Sequence, residues 1–167
     1  MKKIAIIVSG VVKNMELALK LQKEVKGQGA QVELINLVEL DLPMYTSVLE
    51  DEKGIPQKVQ ELTQSLLSCD AFIMVAPEYN GSMPPVFSNA VAWVSRTGDN
   101  FRAVFNQKFI ALATHSGGGG QKLMESMRIM FVYLGANVLS REIINNYSKE
   151  YNPKTAQSVV TELLEYS

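Results

Sequence analysis

Three short segments of the sequence carry the residues that could bind a ligand. Loop one (residues 9–14), loop two (77–82) and loop three (115–120) are each rich in small polar residues or glycine. Glycine lets backbone N–H groups approach a ligand closely, and the start of a helix carries a partial positive charge that attracts anions. Together the three loops have the chemistry to enclose a flat, polar-edged ligand with a phosphate tail.

Loop one holds the candidate phosphate contacts Ser9, Lys13 and Asn14, at the start of a predicted helix. Ser9 and Asn14 are equally compatible with plain helix capping, with Asn14 as the N-cap. In loop two, Tyr79 and neighbouring N–H groups could follow the edge of a ring. In loop three, the four glycines at 117–120 could admit a ring without steric conflict, although a glycine run alone is weak evidence.

Each loop follows a short apolar run of the kind typical of strands buried on both faces of a parallel sheet. Segments with helical periodicity lie between these runs. The predicted strands are 4–8, 31–36, 71–76, 109–114 and a fifth that begins at 137–139. The predicted helices begin at Asn14, near Pro56, at Pro84, at about Gln121 and at Asn152.

Five strands that alternate with five helices predict a doubly wound α/β sheet with helices on both faces. The 167 residues fit one domain, 1–167. Because the chain is short, we predict the flavodoxin-like strand order 2-1-3-4-5 rather than the six-stranded dinucleotide order. In that order strands one, three and four are neighbours. Loops one, two and three then converge at the switch point of the sheet, where ligands bind.

Composition excludes several classes of function. The net charge of −1 gives no electrostatic reason to expect nucleic acid or an acidic membrane as a partner. One cysteine, Cys69, allows no internal disulfide and no cysteine-based zinc site. No apolar run is long enough to span a bilayer, and the N-terminal run 4–8 is too short for a signal peptide. We therefore expect a cytoplasmic protein.

A longer pattern around loop two resembles the NADPH-dependent FMN reductase family of the flavodoxin-like superfamily, which includes flavin, quinone, azo-dye and chromate reductases. The pattern reads P-E-Y-N-G-S-M-P at 77–84, S-N-A at 88–90 and W-V-S-R at 93–96. Similar elements are S-G-G-G-G at 116–120, L-G-A at 134–136 and L-P-M-Y at 42–45. The resemblance covers most of the chain.

The resemblance implies a bound FMN that accepts hydride from NADPH or NADH and passes electrons on to a small acceptor. It also implies a homodimer or homotetramer. It implies that one edge of the isoalloxazine ring is bordered by Pro77, Glu78, Tyr79, Asn80 and Gly81. It implies that the other edge is lined by Ser116, Gly117, Gly118 and Gly119.

Loop one departs from the family pattern. The family usually has a glycine-serine pair, an arginine and a second serine before the asparagine, whereas this chain has the shorter S-G-V-V-K-N at 9–14. Lys13 can supply a point charge but not the bidentate fork of an arginine. Glu16 in the first turn would repel a nearby phosphate. The sequence therefore predicts a weakened phosphate site.

Other residues are less informative about the site. His115 is the single histidine and, without clustered partners, is predicted to be a structural or bystander residue rather than a metal ligand. Cys69 is predicted to be a packing residue. Trp93 and Met83 could line the substrate face or pack in the core. The helix that includes 124–134 is apolar nearly all round, which predicts either deep burial or, as we favour, a homodimer interface to which the helix after Pro84 also contributes.

The leading hypothesis is an NAD(P)H-dependent FMN oxidoreductase. It needs no side-chain acid, base or nucleophile, because the flavin carries the hydride chemistry. One alternative is an FMN electron carrier, which is disfavoured because loop one lacks the threonine-rich phosphate cradle of a flavodoxin. The other is a binding or regulatory protein of the same fold that has lost FMN.

Overall fold

The computed structural model describes residues 1–167 and is built around a parallel sheet. The strands are β1 (Lys3–Val8), β2 (Gln31–Asn36), β3 (Ala71–Val75), β4 (Phe109–Ser116), β5 (Asn137–Val138) and β6 (Ile143–Asn146). The strand order is β2-β1-β3-β4-β5, and β6 also pairs with β4, which confirms the predicted flavodoxin-like order. Every strand pair is parallel.

Seven helices connect the strands, two more than predicted. The two unpredicted helices, α2 (Leu37–Leu40) and α3 (Ser47–Lys53), lie inside the connection 37–53. Each begins at a side-chain cap: the Asn36 side chain accepts from the N–H of Val38, and the Thr46 side chain accepts from the N–H of Leu49. No helix is both long enough and apolar enough to cross a bilayer. The helices are α1 (Lys13–Gly27), α2 (Leu37–Leu40), α3 (Ser47–Lys53), α4 (Gln57–Leu67), α5 (Pro85–Val94), α6 (Gln121–Tyr133) and α7 (Pro153–Tyr166).

The last position of the sheet is divided between two short strands. Both β5 and β6 pair with β4. Between them, the Arg128 guanidinium donates to the carbonyl oxygens of Val138 (3.2 Å) and Leu139 (2.8 Å) and to the Glu142 carboxylate (2.8 Å). The first two bonds give hydrogen-bond partners to the carbonyl groups at the point where the chain leaves β5. Because β6 pairs with the end of β4, that strand runs to Ser116, two residues beyond its predicted end.

Each face of the sheet has its own core because side chains alternate along a strand. On β3, Phe72 and Met74 pack with α4, α5 and α6, whereas Ile73 and Val75 pack with α1 and α7. Cys69 is buried with the first group, as predicted for a packing residue, and burial raises the pKa of its thiol.

The start of α1 differs from the prediction. Asn14 is not the N-cap: that position is Val12, which makes no side-chain capping bond. Asn14 lies inside the helix instead, and its amide bonds to the backbone of His115 at the end of β4. The asparagine therefore ties α1 to the sheet rather than terminating a helix.

The part of the family-like pattern at 88–96 forms hydrogen bonds that hold the connection after β2, residues 37–53, in place. The Asn89 amide accepts from the N–H of Tyr45 (2.7 Å) and donates to the carbonyl of Pro43 (3.1 Å). The Trp93 indole N–H donates to the same carbonyl at 2.7 Å. Trp93 is fully buried, and Met83 packs against the core formed by α4, α5 and α6. Both residues therefore belong to the core rather than to a substrate face.

An ion pair continues this fastening at the surface. Arg96 donates to both carboxylate oxygens of Glu50 at 3.0 and 3.1 Å, and the Tyr45 hydroxyl donates to the same carboxylate at 3.0 Å. The hydrogen bonds from Arg96 hold the pKa of Glu50 below its usual value. The Glu50 carboxylate in turn raises the pKa of the Tyr45 phenol.

Replacement of Asn89 by alanine tests the fastening. We expect Asn89→Ala to lower the free energy of unfolding by about 1–3 kcal/mol, because the partly buried N–H of Tyr45 loses its acceptor. Urea denaturation measures the change. The control is Ser88→Ala at the exposed neighbouring position, which should be within about 0.5 kcal/mol of the wild type. Equal stability of the two variants would contradict this account of Asn89.

Candidate functional site

A carboxylate joins loops two and three. Oε2 of Glu78 accepts from the Ser116 hydroxyl (2.6 Å) and from the N–H of Gly120 (3.0 Å), directly before α6. The N–H of Gly118 donates to Ser116 Oγ at 2.9 Å. Charge-assisted bonds of this type are stronger than neutral ones. Loop three is therefore folded around the side chain of Glu78.

Loop two is a tight turn rather than an irregular segment. Tyr79 and Ser82 exchange two backbone hydrogen bonds of 2.9 Å, and the residues between them, Asn80 and Gly81, have φ values of 51° and 72°. Two positive φ angles in a row define a type I′ turn, for which Asn-Gly is the preferred sequence. The turn fixes the position of Tyr79, whose side chain is exposed.

Loop one contacts both of the other loops. A Cβ atom on Gly10 would lie 3.0 Å from Cβ of Asn14 and 3.1 Å from Cδ of Pro77, so glycine is required where the two loops approach each other. The Asn14 amide donates to the carbonyl of His115 (2.9 Å) and accepts from its N–H (2.8 Å). The predicted convergence of the three loops is therefore present in the structure.

An open crevice of about 450 Å³ lies between loops two and three. This volume falls in the range of small-molecule sites. Its walls include five of the nine predicted ring contacts, three in loop two and two in loop three, together with residues that the sequence did not single out. The lining residues are Glu78, Asn80, Gly81, Gly118, Gly119, Gly120, Gln121 and Lys122.

The glycines of loop three have different structural roles. At Gly119 a Cβ atom would meet nothing within 4 Å, so this position faces open space. At Gly120, where φ is 79°, a Cβ atom would lie 3.0 Å from both Ile144 and Thr114. Gly120 is therefore required by the fold, whereas Gly119 leaves room in the crevice.

The predicted phosphate contacts lie outside the walls of the crevice. Ser9 is buried, with its hydroxyl 3.5 Å from the carbonyl of Val75. Lys13 forms an exposed ion pair with Glu16 at 3.1 Å, and Asn14 uses its amide on His115. Pro77 contacts loop one, and Tyr79 and Gly117 flank the crevice in sequence without lining it.

Gln121 and Lys122 are lining residues that sequence reasoning missed. They occupy the first turn of α6, and the Lys122 chain passes close to Gly81 of loop two. The glycine run could have indicated them, because the first side chains that follow such a run lie next to the space that the glycines leave open. No three His, Cys, Asp or Glu side chains lie close enough together to ligate a metal ion.

Comparison with known proteins defines the class. Residues 3–149 match the NADPH-dependent FMN reductase family, and the chain belongs to that family. A quinone reductase of Escherichia coli strain K12 is 33% identical over 103 residues, which is 60% of this chain and 53% of that protein. The chain thus matches about half the length of that relative.

Two further proteins show how far the similarity extends. The NADPH:quinone oxidoreductase of Arabidopsis thaliana is 29% identical over 128 residues, 76% of this chain and 62% of that protein. The solved structure of a flavoenzyme NAD(P)H:(acceptor) oxidoreductase from Paracoccus denitrificans superposes with a TM-score of 0.79 at 24% identity, covering 99% of this chain and 97% of that chain. At this identity the superposition establishes the shared fold.

The bridge made by Glu78 can be tested by stability and by hydrogen exchange. We expect Glu78→Ala to lower the free energy of unfolding by about 2 kcal/mol, because Ser116 and Gly120 both lose a charged acceptor. The amide of Gly120 should exchange faster in this variant. Glu78→Gln is the matched control, since its side-chain carbonyl oxygen can still accept a hydrogen bond. We expect this variant to recover part of the lost stability and part of the protection of the Gly120 amide. Unchanged exchange at Gly120 in Glu78→Ala would show that the bridge does not hold loop three.

Proposed function

We propose that the protein is an NAD(P)H-dependent FMN oxidoreductase that delivers electrons to a quinone or a similar small acceptor. The observation that carries the proposal is the open crevice between loops two and three at the carboxyl end of β3 and β4. Ligands of doubly wound sheets bind at this position. Membership of the family supports FMN as the ligand, and the names of the relatives support a quinone as the acceptor.

The residues present fit a flavin ring. Gly119 leaves space that any side chain would fill, and the turn at Asn80 and Gly81 forms a fixed opposite wall. In this proposal Pro77, Glu78, Tyr79, Asn80 and Gly81 border one edge of the ring. Ser116, Gly117, Gly118 and Gly119 border the other.

When bound, FMN would accept hydride from NADPH or NADH and supply the redox chemistry. The task of the chain is positional. Glu78 holds loop three against loop two through Ser116 and Gly120, so the width of the crevice is set before any ligand enters. Lys122 adds a positive charge at the mouth, where an anionic ligand would approach. We further propose that the protein works in the cytoplasm.

The phosphate group is assigned to the start of α1. The first-turn N–H groups of a helix have no intrahelical acceptor and bind anions. Ser9, Lys13 and Asn14 remain the proposed side-chain contacts. Lys13 can exchange its partner Glu16 for a phosphate at little cost, because exposed ion pairs contribute little.

One observation favours a second candidate, a family member that does not retain FMN. Two of the three proposed phosphate contacts are already engaged within the chain, Lys13 with Glu16 and Asn14 with His115. The N-cap Val12 offers no side-chain oxygen. A weak phosphate site would lower FMN affinity without changing the crevice.

Absorbance spectroscopy with one pair of variants tests the proposed function. We expect the protein to take up FMN, to lose its visible flavin absorbance with NADPH or NADH under anaerobic conditions, and to recover it when a quinone is added. Gly119→Leu should bind FMN at least about tenfold more weakly, because its side chain fills the crevice. Gly27→Leu is the control, as Gly27 also faces open space but lies at the end of α1.

Three outcomes distinguish the candidates. No FMN uptake by the wild type would favour the second candidate over the reductase. FMN uptake without reduction by either nicotinamide would indicate an electron carrier. Equal FMN affinity of the two leucine variants would contradict the placement of the ring between loops two and three.

We also propose that the protein is a homodimer that pairs through α6. The helix is not buried all round: one face carries Ile129, Val132 and Tyr133 exposed, and Ile129 is 72% exposed. The Tyr133 ring lies 6.2 Å from the exposed ring of Phe101, and the Arg102 guanidinium lies 5.2 Å from the Tyr133 ring. Exposed apolar patches of this kind mark interaction surfaces.

Light scattering coupled to size exclusion tests the proposed dimer. We expect the wild type to elute at twice the chain mass and Ile129→Glu to elute as a monomer, because a buried carboxylate without a partner opposes association. Leu19→Glu is the control, since Leu19 is an exposed apolar residue on α1. A monomeric wild type, or a dimeric Ile129→Glu, would be incompatible with pairing through this face.

A further inference from the structure

A second cavity lies on the opposite face of the sheet from the crevice. The α1–α7 cavity has a volume of about 570 Å³ and lies between one flank of α1, the ends of β4 and β6, and the connection that leads to α7. It shares no lining residue with the crevice. Alternation along β4 accounts for the separation, because Thr114 and Ser116 face one side of the sheet and His115 faces the other.

The floor of this cavity holds an unsatisfied polar atom. Nε2 of His115 is buried and has no hydrogen-bond partner. Asn145, which is 5% exposed, is the register partner of His115 on β6 and lines the same cavity. Buried polar atoms in folded proteins nearly always have a partner. His115 and Asn145 give the cavity a polar floor, where a turn of the imidazole ring would bring Nε2 to a ligand that supplies the missing partner.

The walls combine aromatic rings with charges. The Tyr147 ring lies edge-on to His115 at 6.0 Å between centroids. Lys20 Nζ lies 5.0 Å from the centre of the Tyr151 ring. Burial raises the pKa of the Tyr151 phenol. These rings offer flat surfaces against which a planar molecule can lie.

The charges limit the ligand to a modest negative charge. Lys13 is paired with Glu16, whereas Lys20 forms no ion pair and lies over the Tyr151 ring. With Glu150, the cavity has two lysines and two glutamates and carries no net charge when His115 is neutral. A single anionic group can reach Lys20, but a polyanion would meet the glutamates.

From these features we propose that the α1–α7 cavity binds a planar aromatic molecule with one anionic group. The ring lies between the tyrosines, its polar edge bonds to His115 and Asn145, and its anionic group pairs with Lys20. A mononucleotide and an aromatic carboxylate share this chemistry. The α1–α7 cavity shares Lys13 with the contacts proposed for the FMN phosphate, and its Tyr147 ring lies beside Gly117 of loop three. His115, Asn145 and Lys20, which carry this proposal, have no role in the function proposed for the crevice.

The single histidine provides a direct probe of binding. The imidazole resonance of His115 in the untagged full-length protein is followed by NMR at constant pH, first without FMN and then with one equivalent of FMN. The additions are AMP, 4-hydroxybenzoate and inorganic phosphate in separate titrations. We expect a saturable shift with AMP or with 4-hydroxybenzoate, the responding probe identifying the source of the ligand, and no shift with phosphate.

A pair of lysine variants locates the anionic group. Lys20→Gln should weaken binding of the responding probe by about fivefold, because a partly exposed charge pair is lost. Lys23→Gln removes the same charge one turn further along α1, outside the cavity, and should bind like the wild type.

Several results would overturn the proposal. The first is a His115 resonance that does not move with AMP or with 4-hydroxybenzoate up to about 10 mM. The second is a shift with inorganic phosphate as large as that with the aromatic probes. The third is the same affinity of Lys20→Gln and Lys23→Gln for the responding probe. FMN uptake by the crevice is read separately, from the flavin absorbance of the wild type and of Gly119→Leu, so a failure of the function proposed for the crevice is distinguishable from a failure here.

Discussion

The carboxylate of Glu78 is the interaction on which the candidate site depends. Doubly wound topology brings loops two and three to the same edge of the sheet, but topology alone does not set the distance between them. Glu78 does so, because one oxygen accepts from both Ser116 and Gly120. Gly120 tolerates no side chain, so the end of loop three cannot shift away without loss of packing against Thr114. The crevice is thus shaped by the chain itself.

Much of the fold was predictable because its signals are local. Apolar runs marked β1 to β4, and glycine and proline marked their ends. The division of the last strand into β5 and β6 was not predictable. It depends on Arg128, which donates to carbonyl groups at least ten residues further along the chain. Nothing in the local sequence indicates that this arginine bonds to the backbone there. The helices α2 and α3 were missed because neither is long enough to show a periodic pattern.

The site was predictable to the level of loops but not of every side chain. The convergence of the three loops follows from strand order. The role of Asn14 does not, because an asparagine at a helix start looks the same in sequence whether it caps the helix or bonds to a distant strand. Its bonds to His115 depend on the packing of α1 across the sheet. Likewise, nothing local indicated that His115 Nε2 would be buried without a partner.

The family-like pattern combines two physical tasks that sequence similarity does not separate. Its first part, at 77–82, forms a wall of the crevice. Its second part, through Asn89, Trp93 and Arg96, holds the connection after β2 and touches no wall of the crevice. A change in either part would reduce a flavin-dependent activity, but for different reasons: the first by altering the crevice, the second by loosening the scaffold. Stability and ligand affinity therefore have to be measured together before any residue of this pattern is assigned to the chemistry.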